Sequence, residues 1–390
     1  MMNENEDVDG FGDLFENYEC KCDLSIPKQR KPSYEPVHVS CAISDILQIW
    51  SSKSNDDVSS RLGICPGDVY SLDGMFLHTW GETHVEQPSR LTSIIECLHK
   101  NFWINHEYCW KLIQGRMITN EEILLVHSER LLQEFLLLER GEEINDDFVS
   151  VRTLSYANAE YNLESVGPIT ARACRTAAGS TLSIISSVVR GDLDYGFALV
   201  RPAGHHSSSD HIGTFCGLNS VAIGAVYAIR ILHVDRILIL DWDVHRSGGT
   251  EQILGQMSSE DSKKYHLIDI YAAFGKLSHS SVPSENCQLI DMYNRNQIPG
   301  DTEYLHMFDM KILPCILEYC PSLIIISAGF DAAMGDSEEC AQITANGYFQ
   351  MTKRLKHLKI PLVFILEGGY NQHSLIQSIE GTFRALLDLS

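Results

Sequence analysis

Residues 237–254 read ILILDWDVHRSGGTEQIL, and the apolar run ends not in turn residues but in Asp241, Asp243 and His245 at alternate positions. Alternate side chains of an extended chain point to one side. Asp243 and His245 can therefore reach a single ion, with Asp241 behind them. A third carboxylate, Asp331, follows a second apolar run, LIIIS at 323–327. Two carboxylate oxygens and an imidazole suit Zn2+, or Fe2+ as second choice, and leave a coordination position for water. Activating that water needs a base, and cleaving an amide needs an acid for the departing amine. The adjacent His205 and His206, which close the stretch RPAGHH, can divide these tasks if a carboxylate orients each ring. Tyr370 follows Gly368 and Gly369. A glycine pair permits a tight turn and close approach to a ligand, and the phenol could donate to a developing oxyanion.

These residues sit on four separate segments, so a fold must bring them together. Strand-like runs at 197–200, 237–240, 266–270, 323–327 and 362–366 alternate with helical patterns at 168–189, 218–232, 304–319, 344–357 and 374–386. Short all-apolar strands separated by amphipathic helices predict a doubly wound α/β fold, a mainly parallel sheet with helices on both faces. In such sheets the crevice at the carboxyl ends of the strands binds the ligand. Each of RPAGHH, DWDVH, AGFD and EGGY directly follows a predicted strand, so all four arrive at one crevice.

Composition bounds the rest. The 390 residues are 44% hydrophobic and 21% charged, as in a soluble globular protein. Lys and Arg number 30 against 52 Asp and Glu, a formal charge of −22. That balance argues against direct nucleic-acid or anionic-membrane binding and mildly favours cationic substrates. The start MMNENEDVDG has no signal-peptide character, and the apolar runs are strand-length, too short to span a membrane. Twelve cysteines without paired CxxC spacing read as reduced thiols of a nuclear or cytoplasmic protein. Residues 1–38 form an acidic, solvated tail, in which Phe11, Leu14, Phe15 and Tyr18 have the helical spacing of a segment that docks on a protein partner. Residues 39–390 read as one domain.

With RPAGHH, DWDVH and LEGGYN (366–371) stand HVEQPSRL (84–91), EEILLVHS (121–128), TFCGLNSVAIGA (214–225) and SAGFDAAMGD (327–336). This series resembles the zinc-dependent histone deacetylases, in particular their class II branch. The resemblance implies the arginase/deacetylase fold and hydrolysis of acetyl-lysine in proteins to lysine and acetate, with a role in chromatin and transcription. It implies Asp243, His245 and Asp331 as zinc ligands, and His205 and His206 as the catalytic histidines, with Asp241 orienting His205. Tyr370 would polarise the amide carbonyl. Phe215 would wall the acyl-lysine channel, Gly369 would lie against the substrate, and Arg90 would sit in the cavity below the metal. A structural K+ is implied near Asp241, Asp243 and His245.

The departures are specific. Where the family reads DWDVHHGNGT, this chain reads DWDVHRSGGT. Arg246 thus brings a fixed positive charge in place of a histidine, and Gly248 replaces the residue that orients the second histidine. His206 is therefore expected to lack its usual partner. The family's PGxG channel segment has no clear counterpart at 272–287, where Phe274 is the candidate substitute. Asn158 stands for the rim aspartate that holds the substrate backbone, and Thr214 for a glycine. Glu338, followed by Glu339, resembles the polyamine-deacetylase member of the branch, which implies attraction of a cationic substrate. Two alternatives accompany the main reading. One is a catalytically weak acyl-lysine binder or scaffold, and the other is a deacetylase of acetylpolyamines.

Overall fold

The computed structural model describes residues 41–52, 61–68, 74–81, 83–103, 110–141, 167–273, 285–294 and 296–389. The tail at 1–38, Asn158 and Phe274 lie outside them. Among the described residues eight strands form one sheet, every pairing of which is parallel. They are β1 (Leu62–Cys65), β2 (Lys111–Leu112), β3 (Tyr195–Ala198), β4 (Ile237–Asp241), β5 (Tyr265–Tyr271), β6 (Cys287–Asp291), β7 (Leu323–Ala328) and β8 (Leu362–Leu366). The order across the sheet is β2-β1-β3-β8-β7-β4-β5-β6. The predicted parallel α/β architecture is therefore present.

Helices cover both faces, as the alternation along β3 shows. A Cβ added at Gly196 would meet Ile184 and Val188 of the Pro168–Val189 helix. The next residue, Phe197, stacks on Phe383 of the Gln372–Leu386 helix with ring centroids 5.4 Å apart. Successive strand residues face opposite sides, so these two helices lie on opposite faces. Phe197 also stacks in register on Phe364 of β8, centroids 5.6 Å apart. Trp242, fully buried just beyond β4, packs against Phe330, Tyr348 and Phe364. Burial of each such ring stabilises the fold by roughly 1.5–3 kcal/mol. Among the described residues no helix is long and apolar enough to cross a membrane.

Three strands escaped the sequence pattern. β2 is only two residues long, β1 only four, and β6 is an edge strand with partly exposed residues. The helix expected over 304–319 is interrupted. It runs as Asp301–Met307, then a π-helical turn Phe308–Ile312, then Leu313–Tyr319. Pro314 lies at the start of the last segment. Proline has no N–H and its ring clashes with the preceding turn, and the wider turn accommodates it.

Candidate metal centre and active site

The order of the sheet places β3, β8, β7 and β4 side by side. Their carboxyl ends carry the four motifs singled out above, which therefore meet at one site.

His245 Nδ1 lies 3.1 Å from Asp243 Oδ1 and 3.2 Å from Asp331 Oδ2. One donor atom from each of these three residues falls within 4.8 Å of the others. Backbone amides hold the outer carboxylate oxygens, Gly368 N donating to Asp243 Oδ2 (3.0 Å) and Val244 N to Asp331 Oδ1 (2.9 Å). Both aspartates are fully buried. A Cβ at Gly329 would collide with the Asp243 carboxylate, and one at Gly368 with Asp331 as well. The cradle is thus built around these carboxylates, and the donor set fits Zn2+ or Fe2+. Burial pushes the Asp243 carboxyl up, but the His205 and His245 rings hold it well below the usual range. Burial and the nearby Asp243 push Asp331 up to about 7. Burial opposes charge on His245, yet its hydrogen bonds to Asp243, Asp331 and Glu338 hold its pKa well above the ordinary value.

His205 Nδ1 lies 3.2 Å from Asp241 Oδ2, so Asp241 orients the ring, and Nε2 lies 3.7 Å from Asp243 Oδ1. Burial disfavours charge on His205 too, but Asp243 and Asp241 keep its pKa well above the ordinary value. His206 packs beside it, centroids 4.1 Å apart. Its pKa is held well below the ordinary value by burial and by the His205 and His245 rings. The two rings are thus shifted in opposite directions. Gly248 offers no side chain to orient His206, and it is the backbone of Arg246 that hydrogen-bonds the ring.

The Arg246 charge is compensated, because its Nη2 donates to Glu251 Oε2 at 2.5 Å and Glu251 is buried. Tyr370 is held through its backbone. Its N–H and that of Asn371 both donate to Asp336 Oδ2, at 2.7 and 2.9 Å. Burial, with Asp331 and Asp243, pushes the phenol well above its ordinary pKa, so it stays a donor at neutral pH. Phe215 meets Tyr370 edge-on at 5.6 Å and His84 at 4.3 Å. It adopts φ +57°, a left-handed backbone that costs a non-glycine residue about 1–3 kcal/mol. Gly369 has φ +117°, where glycine is favoured, and its carbonyl accepts from Arg90 Nε at 2.6 Å. Glu338 is not a freely solvated loop charge, since its Oε2 lies 3.2 Å from His245 Nε2.

Several site residues escaped the sequence reading. Asp336 and Glu367 lie inside motifs quoted above, yet only their contacts reveal a role. Glu367 Oε2 accepts from Gly204 N (2.6 Å) and His205 N (3.2 Å). Glu86, within HVEQPSRL, binds Arg201 through both carboxylate oxygens (2.7 and 2.5 Å) and Arg90 at 3.1 Å. Against the cost of burial, Arg201 holds its pKa down to about 2. Arg90 in turn donates to the Glu367 carbonyl at 2.6 Å, so this buried ion cluster supports the EGGY turn from below.

Residues 84–386 match the family described as the histone deacetylase domain. The chain is 34% identical over 316 residues to the polyamine deacetylase HDAC10 of Danio rerio, covering 78% of this chain and 44% of that protein. It is 32% identical over 321 residues to histone deacetylase 15 of Arabidopsis thaliana, covering 80% of this chain and 55% of that one. The chain thus spans about half the length of these curated relatives. The crystal structure of the HDA15 HD domain superposes with a TM-score of 0.71 at 29% identity, covering 85% of this chain and 90% of that one. A match of this extent to the family, around a site of this composition, shows that the chain belongs to the histone deacetylase family.

Proposed function

We propose that the protein hydrolyses the acetyl-lysine amide of acetylated proteins to acetate and free lysine. The observation that carries this reading is the convergence of Asp243, His245 and Asp331 with the Asp241–His205 pair, His206 and Tyr370 at one crevice. Zn2+ bound to the first three residues would act as a Lewis acid on the amide carbonyl and acidify a water molecule. The chain's own groups do the remaining work. The histidine pair takes the proton from the attacking water and returns one to the departing amine. Asp241 fixes the His205 ring so that Nε2 faces the reacting atoms. The Tyr370 phenol donates to the carbonyl oxygen as it gains charge. Phe215 supplies an aromatic wall for the lysine methylenes, and Gly369 lets the turn approach the acyl group. Asn158 takes the place of a rim residue for the substrate backbone. The same reading puts a structural K+ near Asp241, Asp243 and His245. It assigns residues 39–390 to the catalytic domain, and its substrates to the nucleus or cytoplasm.

The test is acetate release from an acetyl-lysine peptide. His205→Ala and Tyr370→Phe should each lower kcat by roughly 100-fold or more. A metal-replete chain that binds the peptide without turning it over would instead be an acyl-lysine binder, and the proposal would be wrong.

A second reading, deacetylation of acetylpolyamines, is favoured by the place of Glu338 in the sequence, seven residues after Asp331, and by the charge of −22. It predicts that Glu338→Leu lowers acetylpolyamine turnover relative to acetyl-lysine turnover. An unchanged ratio removes it.

A further inference from the structure

The loop carrying Glu338 is fastened to the catalytic turn. Asp336, buried between them, accepts from Tyr370 N and Asn371 N through Oδ2 and from Glu338 N through Oδ1 at 3.3 Å. Cys340 Sγ donates to the Glu338 carbonyl at 3.0 Å, and Glu339 turns the chain with φ +52°. One carboxylate thus positions both Tyr370 and Glu338. The Glu338 side chain, 28% exposed, faces inward and meets the outer nitrogen of His245, which is itself 20% exposed.

We propose that Glu338 is a positioning residue for the metal ligand His245, completing a carboxylate–imidazole–metal relay. The inference rests on the metal reading above. For His245 to present the Nδ1 lone pair toward Asp243 and Asp331, its remaining proton must sit on Nε2. Glu338 Oε2, 3.2 Å away, accepts that proton. This fixes the tautomer and the ring's rotation and makes Nδ1 a stronger donor. Selection of a cationic substrate would instead need this carboxylate turned toward the channel. Glu339, the adjacent and exposed carboxylate, provides the control, because it carries the same charge without the contact.

The experiment titrates the metal-stripped full chain with Zn2+ against a competing chelator, for the wild type, Glu338→Gln and Glu339→Gln. Co2+ absorption spectra report the ligand geometry in parallel. Glu338→Gln should weaken Zn2+ affinity by roughly 10–100-fold, the usual effect of losing such a partner, and should alter the Co2+ spectrum. Glu339→Gln should stay within about twofold, as for an exposed charge. Wild-type affinity in Glu338→Gln, or equal weakening in both variants, overturns the proposal. So does a changed ratio of acetylpolyamine to acetyl-lysine turnover at unchanged metal affinity. A wild-type chain that takes up no metal overturns the metal reading itself and the relay with it.

Discussion

On the proposed assignment, His245 would offer the same nitrogen to a proton and to a metal. Against the cost of burial, the neighbouring carboxylates hold its pKa well above the ordinary value, which favours a proton on this ring in the free chain. Metal binding must then release a proton, so the apparent affinity rises with pH, by up to about tenfold per pH unit for each proton displaced. Chelator competition at pH 6, 7 and 8 measures this, and a flat profile would contradict the assignment. Arg246 makes a different prediction. Replacing it by the histidine typical of the family leaves Glu251, 3% exposed, without its ion pair. Arg246→His should lower stability by about 1–3 kcal/mol, the cost of an unsatisfied buried group. Adding Glu251→Gln should recover part of the loss in a denaturant melt. The arginine thus belongs to a local ion pair and not to the metal set.

Across elements, the site depends on contacts that span the chain. Glu86 precedes the Ser89–Leu98 helix, Arg201 follows β3, and Arg90 reaches the carbonyls of the turn after β8. Replacing Glu86 by glutamine leaves two buried guanidinium groups short of their counter-charge. The expected loss is about 3–5 kcal/mol, as for other broken buried pairs, and urea unfolding would read it. The turns that cradle the metal group make a sharper demand. Gly368→Ala drives a methyl group into the Asp243 and Asp331 carboxylates. It should abolish metal uptake while the chain still melts cooperatively, and normal metal content in that variant would contradict the cradle.

For the molecule as a whole, 52 acidic against 30 basic residues create a field that draws cations. Turnover of acetylated substrates carrying an additional positive charge should fall as salt rises, while neutral analogues change little, because the Debye length shrinks to about 8 Å at physiological ionic strength. A kcat/KM series in added salt tests this. Elements whose causes are local were legible in the order of residues alone. The all-apolar runs of β4, β7 and β8 specify buried strands. Asp241, Asp243 and His245 do gather at the end of β4, but the chain bends at 243–245 instead of staying extended, with Asp243 N donating to Asp241 Oδ1 and His245 N to Asp243 Oδ1. Where a cause was local but irregular, as at Pro314, the periodic pattern read straight across it. The edge strands β2 and β6 were too short or too exposed to leave a pattern. That β3, β8, β7 and β4 are neighbours emerges only from the folded chain. It alone decided that Glu338 turns inward to His245, that Asp336 ties that loop to Tyr370, and that Glu86 lies between two arginines. Except for Glu86 and Arg90, which are one helical turn apart, those partners lie 34 to 115 residues apart, and their pairing follows from the packing of the whole sheet and its helices, which no short stretch of sequence contains.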